Sequence, residues 1–172
     1  MKINSATSAQ IAASDASLST WLTANAGSGK TKVLIDRVAR LLLDGVQPEQ
    51  ILCLTYTKSA AAEMKNRLFD RLGKWAMLAD QELNLSLFET GIQRQLSINE
   101  LKKARTLFAR AIEAPGGLKI QTIHAFCASL LRKFPLEAGI SPQFGELSER
   151  SQRDLYLSCL LYTSPSPRDV EE

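Results

Sequence analysis

Residues 24–31 read Ala24-Asn25-Ala26-Gly27-Ser28-Gly29-Lys30-Thr31. Glycines two apart let a backbone turn without a Cβ, so that successive N–H groups face one hollow. A cation and a hydroxyl follow at once, in Lys30 and Thr31. Beyond them, apolar residues recur at Val33, Leu34, Val38, Leu41 and Leu42. That spacing predicts a helix over Gly29 to Leu43 with a broad buried face. The partial positive charge of its N-terminus adds to the hollow. The segment fits the phosphate-loop pattern G-x-x-x-x-G-K-[ST], with Ala24 in place of the first glycine. In that pattern Lys30 reaches the β- and γ-phosphates of a nucleotide and the Thr31 hydroxyl meets Mg²⁺. The bland alternative is a chance Gly-Ser turn ahead of a helix. The loop alone predicts nucleotide binding and no particular reaction.

The flanks predict alternating strands and helices. Thr7 to Ser14 is one or two helical turns. Ser19 to Thr23 (STWLT) alternates and runs into the glycine turn, which predicts a strand. Asp44-Gly45 ends the first long helix, with Gly45 suited to the position after the cap. Ile51 to Tyr56 (ILCLTY) is a nearly continuous apolar run, as in a buried parallel strand. Ser59 to Leu72 is rich in helix formers and is expected to end at Gly73. Lys74 to Ile98 is helical in composition but weakly patterned. Ser97 with Glu100 makes a capping box for a helix through Ala114, ended by Pro115-Gly116-Gly117. Leu118 to Thr122 reads as a third strand and Ile123 to Phe134 as a helix stopped before Pro135. The class is therefore α/β with a parallel sheet.

Composition excludes several classes. Hydrophobic residues are 45% and charged residues 23% of the 172, so disorder throughout is excluded. Apolar runs are too short for a membrane span. Polar Asn4-Ser5 follows Ile3, so no secretory leader is expected and the cytoplasm is the expected compartment. Cys53, Cys127 and Cys159 are an odd number without metal spacing, which suits a reducing compartment. Lys and Arg number 21 against 18 Asp and Glu, a net +3 that suits an anionic partner.

The end of the chain differs in kind. Cys159 to Asp169 (CLLYTSPSPRD) matches one reading frame of a common transposase sequencing adapter over eleven residues. Residues 159–172 are thus expected to be a non-native, exposed and extended tail, with the native segment ending near Ser158. A Pro/Ser linker at Thr163–Pro167 is the alternative. Without Arg168, Asp169, Glu171 and Glu172 the charge balance becomes 20 against 15, or +5.

Three further segments carry a resemblance. Ile51 to Met64 (ILCLTYTKSAAAEM) looks like motif Ia of UvrD-type superfamily 1 helicases, a strand ending in Thr-aromatic-Thr before an Ala-rich helix with Glu-Met. Gln121-Thr122-Ile123-His124-Ala125-Phe126-Cys127 resembles their motif Ib. Gln10 stands before the phosphate loop like their Q-motif glutamine. Within that family, the phosphate loop, the run from Gly116 to Cys127 and Phe134 to Gly139 are most similar to AddA-type helicase-nucleases. The resemblance covers residues 6 to 150.

It implies an incomplete RecA-like P-loop NTPase lobe, an α/β fold with a parallel sheet. Residues 1–158 would be the N-terminal part of the ATP-binding domain (lobe 1A), with a helical insertion at about 74–114. It implies an ATP-dependent DNA helicase of 3'-5' type that unwinds and resects ends in double-strand-break repair, with an exonuclease elsewhere in the protein. ATP and Mg²⁺ would be held by Gln10, residues 24–31 and Arg37, with Lys30 and Thr31 catalytic. Single-stranded DNA and duplex ends would be the substrate, contacted by Tyr56, Thr57, Lys58, Thr122 and His124. An AddB-type subunit would complete a heterodimer, and no membrane is involved.

Each role has a plainer counterpart. An amide donates and accepts, as an adenine edge requires, but Gln10 also reads as an ordinary exposed polar residue. Arg37 would lie near the base or simply face solvent. Tyr56 would stack on a base or pack in the core. Lys58 would meet phosphate or be a solvated charge. His124, the only histidine, would contact DNA or be a satisfied core or cap residue. Phe126 suits the core. No Asp-Glu dipeptide occurs, so the family's Walker B pair is absent and this chain alone is not expected to hydrolyse ATP. A P-loop kinase or transport ATPase, and a non-enzymatic DNA-binding module, are the other classes.

Overall fold

Two short strands, β1 (Leu52–Thr55) and β2 (Lys119–Thr122), pair in parallel, with Cys53 beside Ile120 and Thr55 beside Thr122. The structure, a computed structural model, describes residues 5–23, 25, 27, 29–94 and 96–163, and the side chains of 5–7 and 149 are not described. The chain divides into two units, Met1–Ile123 and His124–Glu172. The first holds α1 (Ser5–Ala13), α2 (Lys30–Leu43), β1, α3 (Lys58–Met77), α4 (Asp80–Glu89), α5 (Ile98–Glu113) and β2. Helix α6 (Ile123–Lys133) starts at the boundary, and α7 (Glu149–Thr163) lies in the second unit.

The core of the first unit follows from helical spacing. In α3 the buried residues are Ala61, Met64, Leu68, Leu72 and Trp75, steps of three and four that make one stripe. In α5 they are Leu101, Ala104, Leu107 and Ala111. These stripes meet each other and those of α2 and α4 in one cluster. Trp75 is fully buried, and its indole N–H donates to Ser86 Oγ of α4 at 2.9 Å, so no polar atom is lost. Phe69 and Phe108 meet edge to face with centroids 6.2 Å apart. Glycine ends α2 as expected: Gly45 has φ +99°, and the N–H groups of Asp44, Gly45 and Val46 return to carbonyls of the last turn.

The structure corrects four expectations. Ser19–Thr23 is not a strand: it is unpaired and exposed, with Trp21 92% accessible. Alternation supplies an amphipathic strip, but a strand also needs an edge to bond to, and β1 and β2 bond only to each other among the described residues. β1 is not buried on both faces. Cys53 packs towards the helical cluster, whereas Leu52 and Leu54 are 41% and 45% exposed on the other face. Gly73 does not end its helix. α3 continues to Met77, and a Cβ on Gly73 would sit 3.5 Å from the Phe108 ring, an ordinary contact with α5. Finally, Cys159 to Thr163 is not extended. It continues α7, exposed along residues 150–163, because Cys, Leu and Tyr do not oppose a helix; Thr163 Oγ1 bonds back to the Cys159 carbonyl at 2.8 Å. Residues 164–172, including Pro165 and Pro167, lie outside the described residues.

In the second unit, Arg132 near the end of α6 pairs with Glu146 at 3.1 Å and covers the Phe144 ring at 5.5 Å from its centroid. No helix among the described residues is long and apolar enough to cross a membrane.

Candidate functional site

The phosphate-loop residues Ala24, Ala26 and Ser28 lie outside the described residues; the rest of the loop is described. Gly27 has φ +78° and Gly29 φ +88°, the left-handed region that a Cβ disfavours. Gly29 is the residue before the first turn of α2, which opens directly with Lys30 and Thr31. With no side chain at Gly29, no side chain caps this helix from that position. Lys30 Nζ donates to the Asn25 carbonyl at 3.0 Å, bridging the loop it would serve. Thr31 is half-buried behind it. Glycines held at positive φ, an amide-rich helix end and an adjacent ammonium fit a Mg²⁺-bound polyphosphate.

Gln10 stands at this loop. Its Nε2 lies 2.8 Å from where a Cβ on Gly29 would be, so Gly29 is needed for space as well as for conformation. Gln10 belongs to α1, which two arginines of α2 hold. Arg37 Nη1 donates to the Asp15 carbonyl and Nη2 to the Leu18 carbonyl at 2.5 Å. Arg40 Nη1 reaches the Ile11 carbonyl at 3.2 Å and Ser14 Oγ at 3.0 Å. Its Nη2 is 3.7 Å from Asp15 Oδ1. Hydrogen bonds from the Ser17 backbone and hydroxyl hold the Asp15 carboxyl below its ordinary value, with Arg40 and Arg37 adding to the effect. Arg37 thus grips the backbone between α1 and the loop.

Behind the loop, Asp36 of α2 is buried and bonded to Arg71 of α3, with Lys32 Nζ 3.9 Å from its other oxygen. Burial pushes the Arg71 guanidinium down from its ordinary value, and the Glu89 carboxylate opposes this. Burial likewise pushes the Cys53 thiol up.

The second candidate group lies at the C-terminal ends of the paired strands, where ligands of parallel sheets bind. Thr55 and Thr122 are register partners, and Thr122 is buried. Tyr56 follows Thr55 with its ring 82% exposed, so core packing does not hold it. Thr57 caps α3, its hydroxyl oxygen accepting from the Ala60 N–H at 3.1 Å, and Lys58 is exposed in the first turn. His124, at the start of the second unit, is exposed in the first turn of α6, and Phe126 is half-buried.

Sequence reasoning missed Arg40, Ser14, Asp15 and the Asp36–Arg71 pair. The only signal for the pair was an aspartate on a buried helical stripe, three residues after Val33 and three before Ala39, which requires a partner.

Comparisons with known proteins agree with these two groups. An ATP-dependent helicase/nuclease protein of Lactobacillus acidophilus is 32% identical over 134 residues, which is 78% of this chain and 9% of that protein. Proteins of the same name from Enterococcus faecalis (30% over 131 residues, 76% and 9%) and Lactobacillus gasseri (31% over 144 residues, 84% and 10%) are also similar. The chain therefore spans about a tenth of the length of the curated relatives it matches. The family model for the UvrD/REP helicase N-terminal domain matches residues 5–169, and the chain belongs to that family.

Proposed function

We propose that residues 1–158 are the front part of the RecA-like lobe 1A of an AddA-type, ATP-dependent DNA helicase-nuclease, with the helical stretch at about 74–114 inserted into that lobe. The observation that carries this reading is the Gly29–Lys30 turn opening α2 with the Gln10 amide against it. ATP with Mg²⁺ would supply the phosphoanhydride whose cleavage drives movement on DNA. Lys30 would exchange its bond to the Asn25 carbonyl for charge-assisted bonds to the β- and γ-phosphates. Thr31 would present its hydroxyl to Mg²⁺. Gln10 would read the adenine edge, with Arg37 bordering the base while fixing residues 15–18.

Tyr56, Thr57, Lys58, Thr122 and His124 are assigned to single-stranded DNA. The exposed Tyr56 ring offers a π-face that any base can stack on, at about 1–3 kcal/mol per base. Lys58 would neutralise a phosphate, which makes binding salt-dependent. The full-length protein would act on duplex ends in the cytoplasm with an AddB-type subunit during double-strand-break repair. Hydrolysis belongs to that longer protein, because this chain has no Asp-Glu pair. Residues 159–172 are assigned to sequencing adapter; an independent read of the source DNA with native sequence beyond them would overturn that assignment.

Replacing Lys30 by alanine tests the nucleotide role. Full-length Lys30→Ala protein should bind DNA yet show no ATP-dependent strand separation, and normal unwinding would reject the reading. Tyr56→Ala should weaken single-strand binding about tenfold at all sequences. Unchanged affinity and translocation would remove Tyr56 from the DNA site.

A further inference from the structure

We propose that Arg40 is a positioning residue for the nucleotide base, holding the end of α1 against α2 so that the Gln10 amide stays at the phosphate loop. The inference rests on the reading that Gln10 faces adenine. α1 has nine residues, too few to be stable as a helix alone, so its place depends on what anchors it. Arg40 supplies three attachments there: the Ile11 carbonyl at 3.2 Å, Ser14 Oγ at 3.0 Å and the Asp15 carboxylate at 3.7 Å. All lie at the C-terminal end of α1, where a cation also meets the negative end of the helix dipole. Ser14 is fully buried, and its hydroxyl donates to the Ile11 carbonyl at 2.8 Å while accepting from Arg40.

The attachment is one residue from the group it would position. The Gln10 carbonyl accepts the Ser14 N–H at 3.0 Å, and Ile11 is its neighbour. On the other side, Gly91 closes over the same point: a Cβ there would lie 2.9 Å from Ile11 Cγ2 and 3.0 Å from Arg40 Nη1. Arg40 itself is ten residues beyond Lys30 on α2, about 15 Å along the axis, too far to touch phosphate. Its influence on the nucleotide therefore passes through α1 and Gln10.

The test is steady-state ATPase of the full-length protein on DNA, with ATP and with GTP. Arg40→Ala should raise KM for ATP about fivefold, leaving kcat and the KM for GTP within about twofold. Arg40→Lys, which keeps the charge, should recover part of the loss and serves if the alanine variant does not fold. In a Gln10→Ala background, Arg40→Ala should add nothing to KM. Equal rises for ATP and GTP, a fall in kcat alone, or an effect fully additive with Gln10→Ala would overturn the proposal. A wild-type enzyme with no preference for ATP would instead overturn the reading of Gln10, and the inference with it.

Discussion

The helices α2 and α5 begin in opposite ways. α5 closes its own N-terminus: Ser97 Oγ accepts the Glu100 N–H at 3.3 Å, and the Glu100 carboxylate accepts the Ser97 N–H at 2.9 Å. Arg94 then pairs with the other Glu100 oxygen at 2.5 Å. The Arg94 bond first, and then those from Ser97, hold the Glu100 carboxyl at about 2. α2 instead begins behind a left-handed glycine that has no side chain to offer. Both helices bury one face in the same core, so the difference is not one of packing. A helix that only supports the fold satisfies its first N–H groups internally; one that opens behind glycine keeps them for a ligand.

The largest effect should come from the body of α2. Asp36→Ala leaves the Arg71 guanidinium without its carboxylate in the interior and should cost about 3 kcal/mol in urea unfolding. A cost near zero would show that the pair does not hold the open-ended helix. Gly29→Ala attacks the open end itself. It places a Cβ at unfavourable φ and 2.8 Å from Gln10 Nε2, so nucleotide affinity should fall about hundredfold. Ser97→Ala opens the closed end and should cost about 1 kcal/mol of stability with nucleotide binding unchanged. Gly73→Ala, within α3, should raise stability by about 0.5–1 kcal/mol, because its φ is helical and Phe108 leaves room. The acid response of Glu100 is the smallest. Its folded value of about 2 lies below the ordinary 4.5, so its contribution is complete above pH 4.5 and is lost as pH falls towards 2. Glu100→Gln should flatten that part of an acid-unfolding profile.

The same contrast separates what could be read from the residues from what could not. The capping box, the glycine stop at Gly45 and the turn at Gly27 and Gly29 are local, each set by residues within a few positions. β1 and β2 were also legible, because their apolar runs are bounded by strong breakers. Ser19–Thr23 was misread because strand formation depends on a neighbouring edge, which no window of sequence contains. Gly73 was misread because a helix anchored on both sides by Leu72 and Trp75 tolerates one glycine for about 1 kcal/mol. At the site, Lys30, Thr31 and Gln10 are tied to a local motif. Arg40 with Ser14, and Asp36 with Arg71, join residues 26 and 35 apart, and periodicity does not report such pairings.

The central claim is that the open end of α2 receives the nucleotide. An amide NMR titration of this chain with Mg²⁺ and ATP tests it most directly, because weak binding suffices. The N–H signals of Gly27, Gly29, Lys30 and Thr31 should shift, those of Ile98 to Glu100 should stay, and Lys30→Ala should abolish the shifts. Shifts at α5 with none at residues 27–31, or the same shifts in Lys30→Ala, would contradict the account.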